Sequence, residues 1–489
     1  MKKTLKYFLI SLVIIFLILF IPTEKIVEPK LAEKKQFIWN RDSLWNSLEQ
    51  KFIEAKQKGC TNIEGDIKNN FIIINLILEE IKKSSPLPNE LIYQKLEEKI
   101  FVTAALVGGC EQYISEYAEQ YSRIRTVIKN VSVNWDISNV NTRNTLYKII
   151  YGGRAAVEEL LLQTNSSNIN GLTLENDEES QTPSASILGV RIHSGDILVS
   201  RGGAPTSALI ARGSDYPGNF SHIALVYVDA KTKLPYIIES HIERGITISS
   251  LYDYLKDIKL RVMVLRLRKD LHKLQIDPML PHKAALFALQ RAEARHIPYD
   301  FEMDLNNDDK WFCSEVASSS YKKVGISLWA HSSTISSRGT AKLLSGFGVT
   351  HFETQEPSDL EYDPQVTVVA EWRDMETLYK DHVDNAIVEA LLDEANYGKE
   401  LKYNHYLLPI VRIAKLVSVV QNIFGADGII PEGMSAESGL RHQKYENIFI
   451  AVKQKVLDGA EEFLKKNKYR PPYWKLVGFA KNYVKDYLQ

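Results

Sequence analysis

Apolar and polar positions divide the chain into stretches of different period. Over residues 40–162 the apolar positions recur at helical spacing. Ile73, Ile74, Leu76, Ile77, Leu78 and Ile81 mark one face, and Ile100 to Val107 continues apolar up to a Gly108-Gly109 stop. Thr145 to Leu162 predicts another amphipathic helix, interrupted at Gly152-Gly153. A polar stretch follows at 163–186 and reads as a linker. Beyond it the period shortens. Ile197-Leu198-Val199, Ile223 to Val228, Tyr236-Ile237-Ile238 and Val262 to Leu267 predict strands, and the second and third flank a turn at Asp229 to Pro235. Pro281 to His296 predicts a helix with Ala285, Leu289 and Ala292 on one face, ended by Pro298. A further helix starts near Cys313 and stops at Gly325, and Val366 to Ala370 offers one more strand. Helical spacing returns in Ile387 to Ala395, Leu407 to Val420 and Tyr445 to Leu464, with a Gly/Pro-containing break from Gly425 to Gly439.

These patterns predict five parts: an N-terminal segment 1–25, a helical domain 34–162, the linker 163–186, an α+β unit 187–373, and a helical region 374–489. The chain's 489 residues suit more than one core. The net charge of −1 leaves no electrostatic footprint for nucleic acid.

The N-terminus changes the picture. Lys2, Lys3 and Lys6 precede an apolar run from Tyr7 to Ile21 in which Ser11 is the polar interruption. A basic flank before a short apolar run reads as a secretory signal. No small-x-small cleavage pattern follows, so an uncleaved signal anchor is favoured, with the lysines on the cytoplasmic side and the bulk of the chain outside it. A cleaved signal, releasing the chain, is the alternative. Export implies an oxidising compartment. There Cys60 and Cys110, both preceded by Gly, can pair, which leaves Cys313 alone as a candidate nucleophile.

Cys313 stands where a helix begins. A helix N-terminus favours an anion, and a nearby imidazolium does the same, so both favour the thiolate that a cysteine nucleophile requires. The same position aims free backbone N–H groups at a substrate carbonyl. His222 opens an apolar strand and can act as base. If 222–228 and 236–242 pair as a hairpin, Glu239 comes near His222 and can hold its tautomer. His241 shares the face of Glu239 and is the rival base. A metal site from His222, Glu239 and His241 lacks any recognised ligand spacing.

Five short motifs in this order resemble a known family. They are Gly195-Asp196-Ile197, Ser221 to Val226, Ile237 to Ser240, Pro298 to Phe301, and Phe312 to Val316. Together they look like the permuted papain-like amidases, the YiiX/YebB-like branch of the NlpC-type cysteine hydrolases. In papain-type enzymes the Cys comes first in the chain; here the His does, as in a circular permutation. Ser221 stands where the family often has Gly, and Val316 where Leu is common. The resemblance implies an α+β domain with a small antiparallel sheet packed on helices. It also implies a triad carried onto Cys313, His222 and Glu239, with no metal or organic cofactor. Family members are linked to amide cleavage in cell-wall peptides; related permuted proteins act on acyl-lipid esters and thioesters.

The expected protein is therefore a membrane-anchored cell-envelope hydrolase of an amide bond. Tyr299 and Asp300 are candidates to line its pocket. The approach to Cys313 is rich in acids: Asp300, Glu302, Asp304, Asp308 and Asp309. Such a rim attracts a free amine, as on a diamino acid of a wall peptide, and repels anionic headgroups. A lipid-directed acyltransferase or thioesterase with the same triad, and a non-catalytic envelope scaffold, are the alternatives.

Overall fold

The computed structural model describes the chain except residues 1–6, 8–9, 12, 15, 24–30, 32–35, 40–41, 165–170, 176, 425–427 and 488–489. Lys2, Lys3 and Lys6 thus lie outside the described residues. Between Tyr7 and Ile18 the described residues are helical and exposed. Among the described residues no helix is long and apolar enough to cross a membrane.

Five helices come first: α1 (Asp42–Lys58), α2 (Cys60–Ser84), α3 (Leu91–Val107), α4 (Ile114–Ser132) and α5 (Val140–Gln163). Ile63, Ile67, Phe71, Ile74, Ile77 and Ile81 of α2 are buried, as a 3.6-residue period requires of a helix with one covered face. The interruption expected at Gly152-Gly153 is absent, because α5 runs through both residues. The glycines serve close approach instead. A Cβ at 152 would meet the Trp39 ring at 2.5 Å, and one at 153 the Tyr121 ring at 2.5 Å. Cys60 and Cys110 form a disulfide, with Cα atoms 4.7 Å apart and 50 residues between them in sequence. Closing a loop of that length constrains the unfolded chain by about 4 kcal/mol. Cys60→Ser with Cys110→Ser should lower the unfolding free energy by roughly that amount. Urea unfolding that leaves the midpoint unchanged would refute this.

The centre is a seven-stranded antiparallel sheet. Its strands are β1 (Leu172–Leu174), β2 (Ile197–Gly202), β3 (His222–Val228), β4 (Pro235–His241), β5 (Gly245–Ser250), β6 (Lys259–Leu267) and β7 (Val366–Arg373), in the order β1-β7-β6-β2-β3-β4-β5. The stretch read as a linker contributes to this sheet. Leu172 to Leu174 pair with Ala370 to Trp372, and Ser184–Ile187 forms a ribbon with Val190–His193. At three residues the edge strand β1 is too short for its alternation to give a strand signal.

Two helices pack across β3: α6 (Leu280–Ala294) and α7 (Cys313–Lys323). Alternation along β3 sorts its side chains. Ile223 and Leu225 join Ala284, Ala288, Val316 and Tyr321 in one core, while Ala224 and Val226 join Leu198, Ile237 and Val264 on the other face. The turn before β2 needs glycine. Gly195 has φ +97°, and a Cβ there would press on Pro281 at 2.3 Å. Beside it the Asp196 carboxylate accepts from Arg266 Nε at 2.8 Å and Nη2 at 2.9 Å, a buried pair joining β2 to β6.

Four more helices close the molecule: α8 (Met375–Asn396), α9 (Leu408–Ile423), α10 (Ala436–Asn467) and α11 (Tyr473–Val484). A buried ionic network joins the first helices to the sheet and to α8. Arg154 of α5 bonds Glu371 of β7 at 2.5 Å and also pairs with Glu361. Arg261 of β6 reaches Glu158 of α5 at 2.5 Å and Asp381 of α8 at 2.7 Å. Arg125 of α4 pairs with Glu361 at 3.0 Å and with Glu175. Every one of these side chains is 3 % exposed or less.

Candidate active site

Cys313 is the first residue of α7, and Phe312 is its N-cap. The Phe312 N–H donates to Glu315 Oε2 at 3.0 Å, so the fourth residue of the motif closes the cap. Burial pushes the Glu315 carboxyl up to about 9, so it keeps its proton at neutral pH. The N–H of Cys313 lies in the first turn and has no intrahelical acceptor. It is thereby available to a carbonyl oxygen. Cys313 is buried, and its thiol sits 3.9 Å from the Ser221 carbonyl oxygen.

The hairpin brings the histidine and the acid together. Ala224 stands opposite Glu239 in the β3–β4 register, so His222 lies diagonal to Glu239 on one face. His222 Nε2 is 2.9 Å from Glu239 Oε2. The imidazole and the Cys313 thiol line the same cleft, close enough for Cys313 to favour the protonated ring. With Nε2 committed to Glu239, Nδ1 is the nitrogen left for the thiol. Burial alone would lower the pKa of His222, but Cys313 and Glu239 outweigh that and push it from 6.5 up to about 10. Burial likewise works against the charge of Glu239. The hydrogen bonds from His222 and His241 prevail and hold its carboxyl below the ordinary carboxylate range.

His241 Nε2 lies 3.2 Å from Glu239 Oε1, and Ser249 Oγ donates to the same oxygen at 2.9 Å. Glu239 therefore bridges two imidazoles, and His222 is the one whose protonation Cys313 favours. Ser249 was not foreseen. Strand β5 would have exposed it, through the weak alternation of Ile246 and Ile248 with polar residues. Among the described residues no group of three His, Cys, Asp or Glu side chains is arranged to hold a metal.

These groups sit in a cleft of about 950 Å³. Its wall combines apolar Phe301, Met303, Leu344, Phe347, Val349 and Met434 with charged Glu243, Arg244, Asp253, Lys256 and Asp257. A separate cavity lined by Trp39, Trp45 and Trp474 includes none of Cys313, His222 and Glu239. Tyr299 lines the cleft, and burial first, then the charge at Cys313, keeps its phenol protonated. Asp300 does not line it. That carboxylate accepts the N–H groups of Glu302 at 3.0 Å and Asp304 at 2.7 Å, folding the loop before α7. The acidic rim expected there is likewise absent from the cleft wall. Asp309 pairs with Arg295 at 2.8 Å, and Glu302 lies 3.8 Å from Lys310.

The raised His222 pKa predicts an alkaline limit. Its folded value exceeds its unfolded one, so the stabilisation is complete below about 6.5 and disappears as pH rises through about 10. Turnover, which needs the imidazolium to protonate the leaving amine, should decline over that upper range. Glu239→Gln removes one of the causes and should move the decline to lower pH. An unchanged profile in that variant would contradict the orienting role.

Residues 191–370 match the family model described as permuted papain-like amidase enzyme, YaeF/YiiX, C92 family. No curated protein matches the chain. The match covers the sheet from the ribbon before β2 to β7, together with α6 and α7. Papain-like amidases are cysteine hydrolases, and this is the class of the enzyme.

Proposed function

Since residues 191–370 match the model of the permuted papain-like amidases, we propose that Cys313, His222 and Glu239 form the triad of a cell-envelope hydrolase that cleaves an amide in peptidoglycan-type peptides. The observation that carries this reading is His222 bonded to Glu239 at 2.9 Å, with Cys313 lining the same cleft at the start of α7. The thiol proton passes to His222 Nδ1, and Sγ attacks the carbonyl carbon. The oxyanion rests against the Cys313 N–H. His222 then protonates the departing amine, leaving a thioester. Water loses a proton to His222, attacks the thioester, and the thiol recovers its proton as the acid leaves. Glu239 keeps Nε2 occupied throughout, and the Tyr299 hydroxyl is free to contact the substrate.

Glu243, Asp253 and Asp257 line the cleft beside Arg244, Lys256 and Lys259, so the preference for an amine-bearing peptide rests on the family resemblance and not on acids near Cys313. The N-terminal apolar run supports attachment to the membrane with the bulk of the chain outside the cytoplasm. The apolar residues of the cleft wall favour a second reading, a lipid-directed acyltransferase or thioesterase using the same triad. The test offers amine-bearing stem peptides and acyl phospholipids side by side to the full chain and to Cys313→Ala, with products followed by mass spectrometry. Peptide cleavage lost in the variant is expected. Turnover of lipid alone, lost in the variant, would promote the second reading.

A further inference from the structure

Helix α9 has an uncovered apolar face. Ile410, Ile413, Val417, Val420 and Phe424 follow one another at spacings of three and four residues, and all are exposed, Phe424 to 83 %. Leu416 beside them is 67 % exposed. The polar groups of the helix turn elsewhere. Lys415 Nζ donates to the carbonyl oxygens of Pro431 and Glu432 at 2.5 and 2.7 Å. Arg412 bonds Glu437 at 2.8 Å.

The N-terminal apolar segment ends on this helix. Arg412 donates to the Leu19 carbonyl at 3.0 Å and to Thr23 Oγ1 at 3.1 Å, while the Thr23 N–H donates to Glu437 at 3.0 Å. Ile10, Val13, Ile14 and Leu17 are themselves exposed, so they do not cover α9. Two bare apolar surfaces are thus pinned side by side. At 16 residues α9 is about 24 Å long, shorter than the roughly 30 Å hydrocarbon core of a bilayer. From Leu401 to Gly425 the sequence holds Lys402, Arg412 and Lys415 and no Asp or Glu. Tyr406, 69 % exposed, precedes the helix as an interfacial aromatic would.

We infer that α9 lies in the plane of an anionic phospholipid bilayer, its Ile410–Phe424 stripe sunk into the acyl boundary beside the N-terminal segment. This extends the anchor reading above and is independent of the hydrolase chemistry. It has a consequence for substrate access. Pro431 and Met434 line the cleft, and Lys415 ties Pro431 to α9. One wall of the cleft is therefore held at the lipid surface, and substrates arriving there are those presented at the membrane.

The test uses the full-length Cys313→Ala chain with Leu416→Cys as its free thiol, carrying an environment-sensitive fluorophore. The probe surface is vesicles of phosphatidylethanolamine and phosphatidylglycerol containing acyl-chain nitroxide lipids. The label at 416 should shift to the blue and lose most of its emission, whereas a label at Glu461→Cys on α10 should do neither. Ile413→Glu with Val420→Glu should abolish the quenching at 416 while the chain stays on vesicles. A label at 416 that remains in water on vesicle-bound chain would overturn the inference. So would failure of the chain to bind the vesicles, or 416–416 cross-links between copies in place of quenching. Quenching at 416 without quenching of a label at Ile18→Cys would instead sink the anchor reading and leave this one standing.

Discussion

Cys313→Ala is expected to abolish hydrolysis, by about 10⁴-fold or more, because removal of a nucleophile leaves only binding and oxyanion stabilisation. The fold should survive. Cys313 lies at the end of α7, and losing one sulfur there costs little beside the surrounding core of Val316, Ala317 and Tyr321. Far-UV circular dichroism and the Tm check that point, and product formation from the same substrate checks the first. Alkylation gives an independent reading. Cys60 and Cys110 are held as a disulfide, so a thiol reagent on the native chain should modify Cys313. Turnover should then fall in step with modification. Activity retained by the alanine variant would remove Cys313 from the chemistry altogether.

The largest effect on stability should come from a residue far from the cleft. Arg154→Ala is expected to lower the unfolding free energy by about 3–5 kcal/mol. The reason is the partners left behind. Glu371 and Glu361 are almost wholly buried, and each would lose a guanidinium that offsets its desolvation. Burial by itself raises the pKa of Glu371, but Arg154, Arg373, Arg125 and Arg261 outweigh it and bring it down to about 2. A depressed carboxyl stabilises the fold above its unfolded value near 4.3, and that contribution is lost as pH falls through about 2. The wild type should therefore lose stability across that acid range. In Arg154→Ala the folded pKa of Glu371 should rise, so this acid loss should be smaller and end at higher pH. Urea unfolding at several pH values measures both effects, and a variant within 1 kcal/mol of the wild type would show that the network is not stabilising in this sense.

Several elements were legible because their causes are local. The period of Ile74, Ile77 and Ile81 is a property of one helix, and the alternation of Ile223, Leu225 and their neighbours is a property of one strand. The turn between Val228 and Pro235 set the hairpin, and the hairpin alone brought Glu239 to His222. A two-residue spacing likewise placed His241 beside Glu239. The start of α7 at Cys313 followed from the break before it.

What tertiary structure decided lies between segments distant in sequence. Gly152 and Gly153 read as a helix stop, yet the rings of Trp39 and Tyr121 need the missing Cβ atoms. Asp300 and Asp309 read as a substrate rim, yet backbone N–H groups and Arg295 take up their charge. Arg125, Arg154, Glu158 and Arg261 look like solvated charges in their own elements, and only the packing of α4 and α5 on the sheet buries them together. The apolar stripe of α9 shows the converse, since a helical period predicts a face to be covered but not what covers it. Local sequence sets backbone conformation through short-range sterics and hydrogen bonding. The environment of a charge or a ring depends on which surfaces meet, and that is settled by the whole chain's packing.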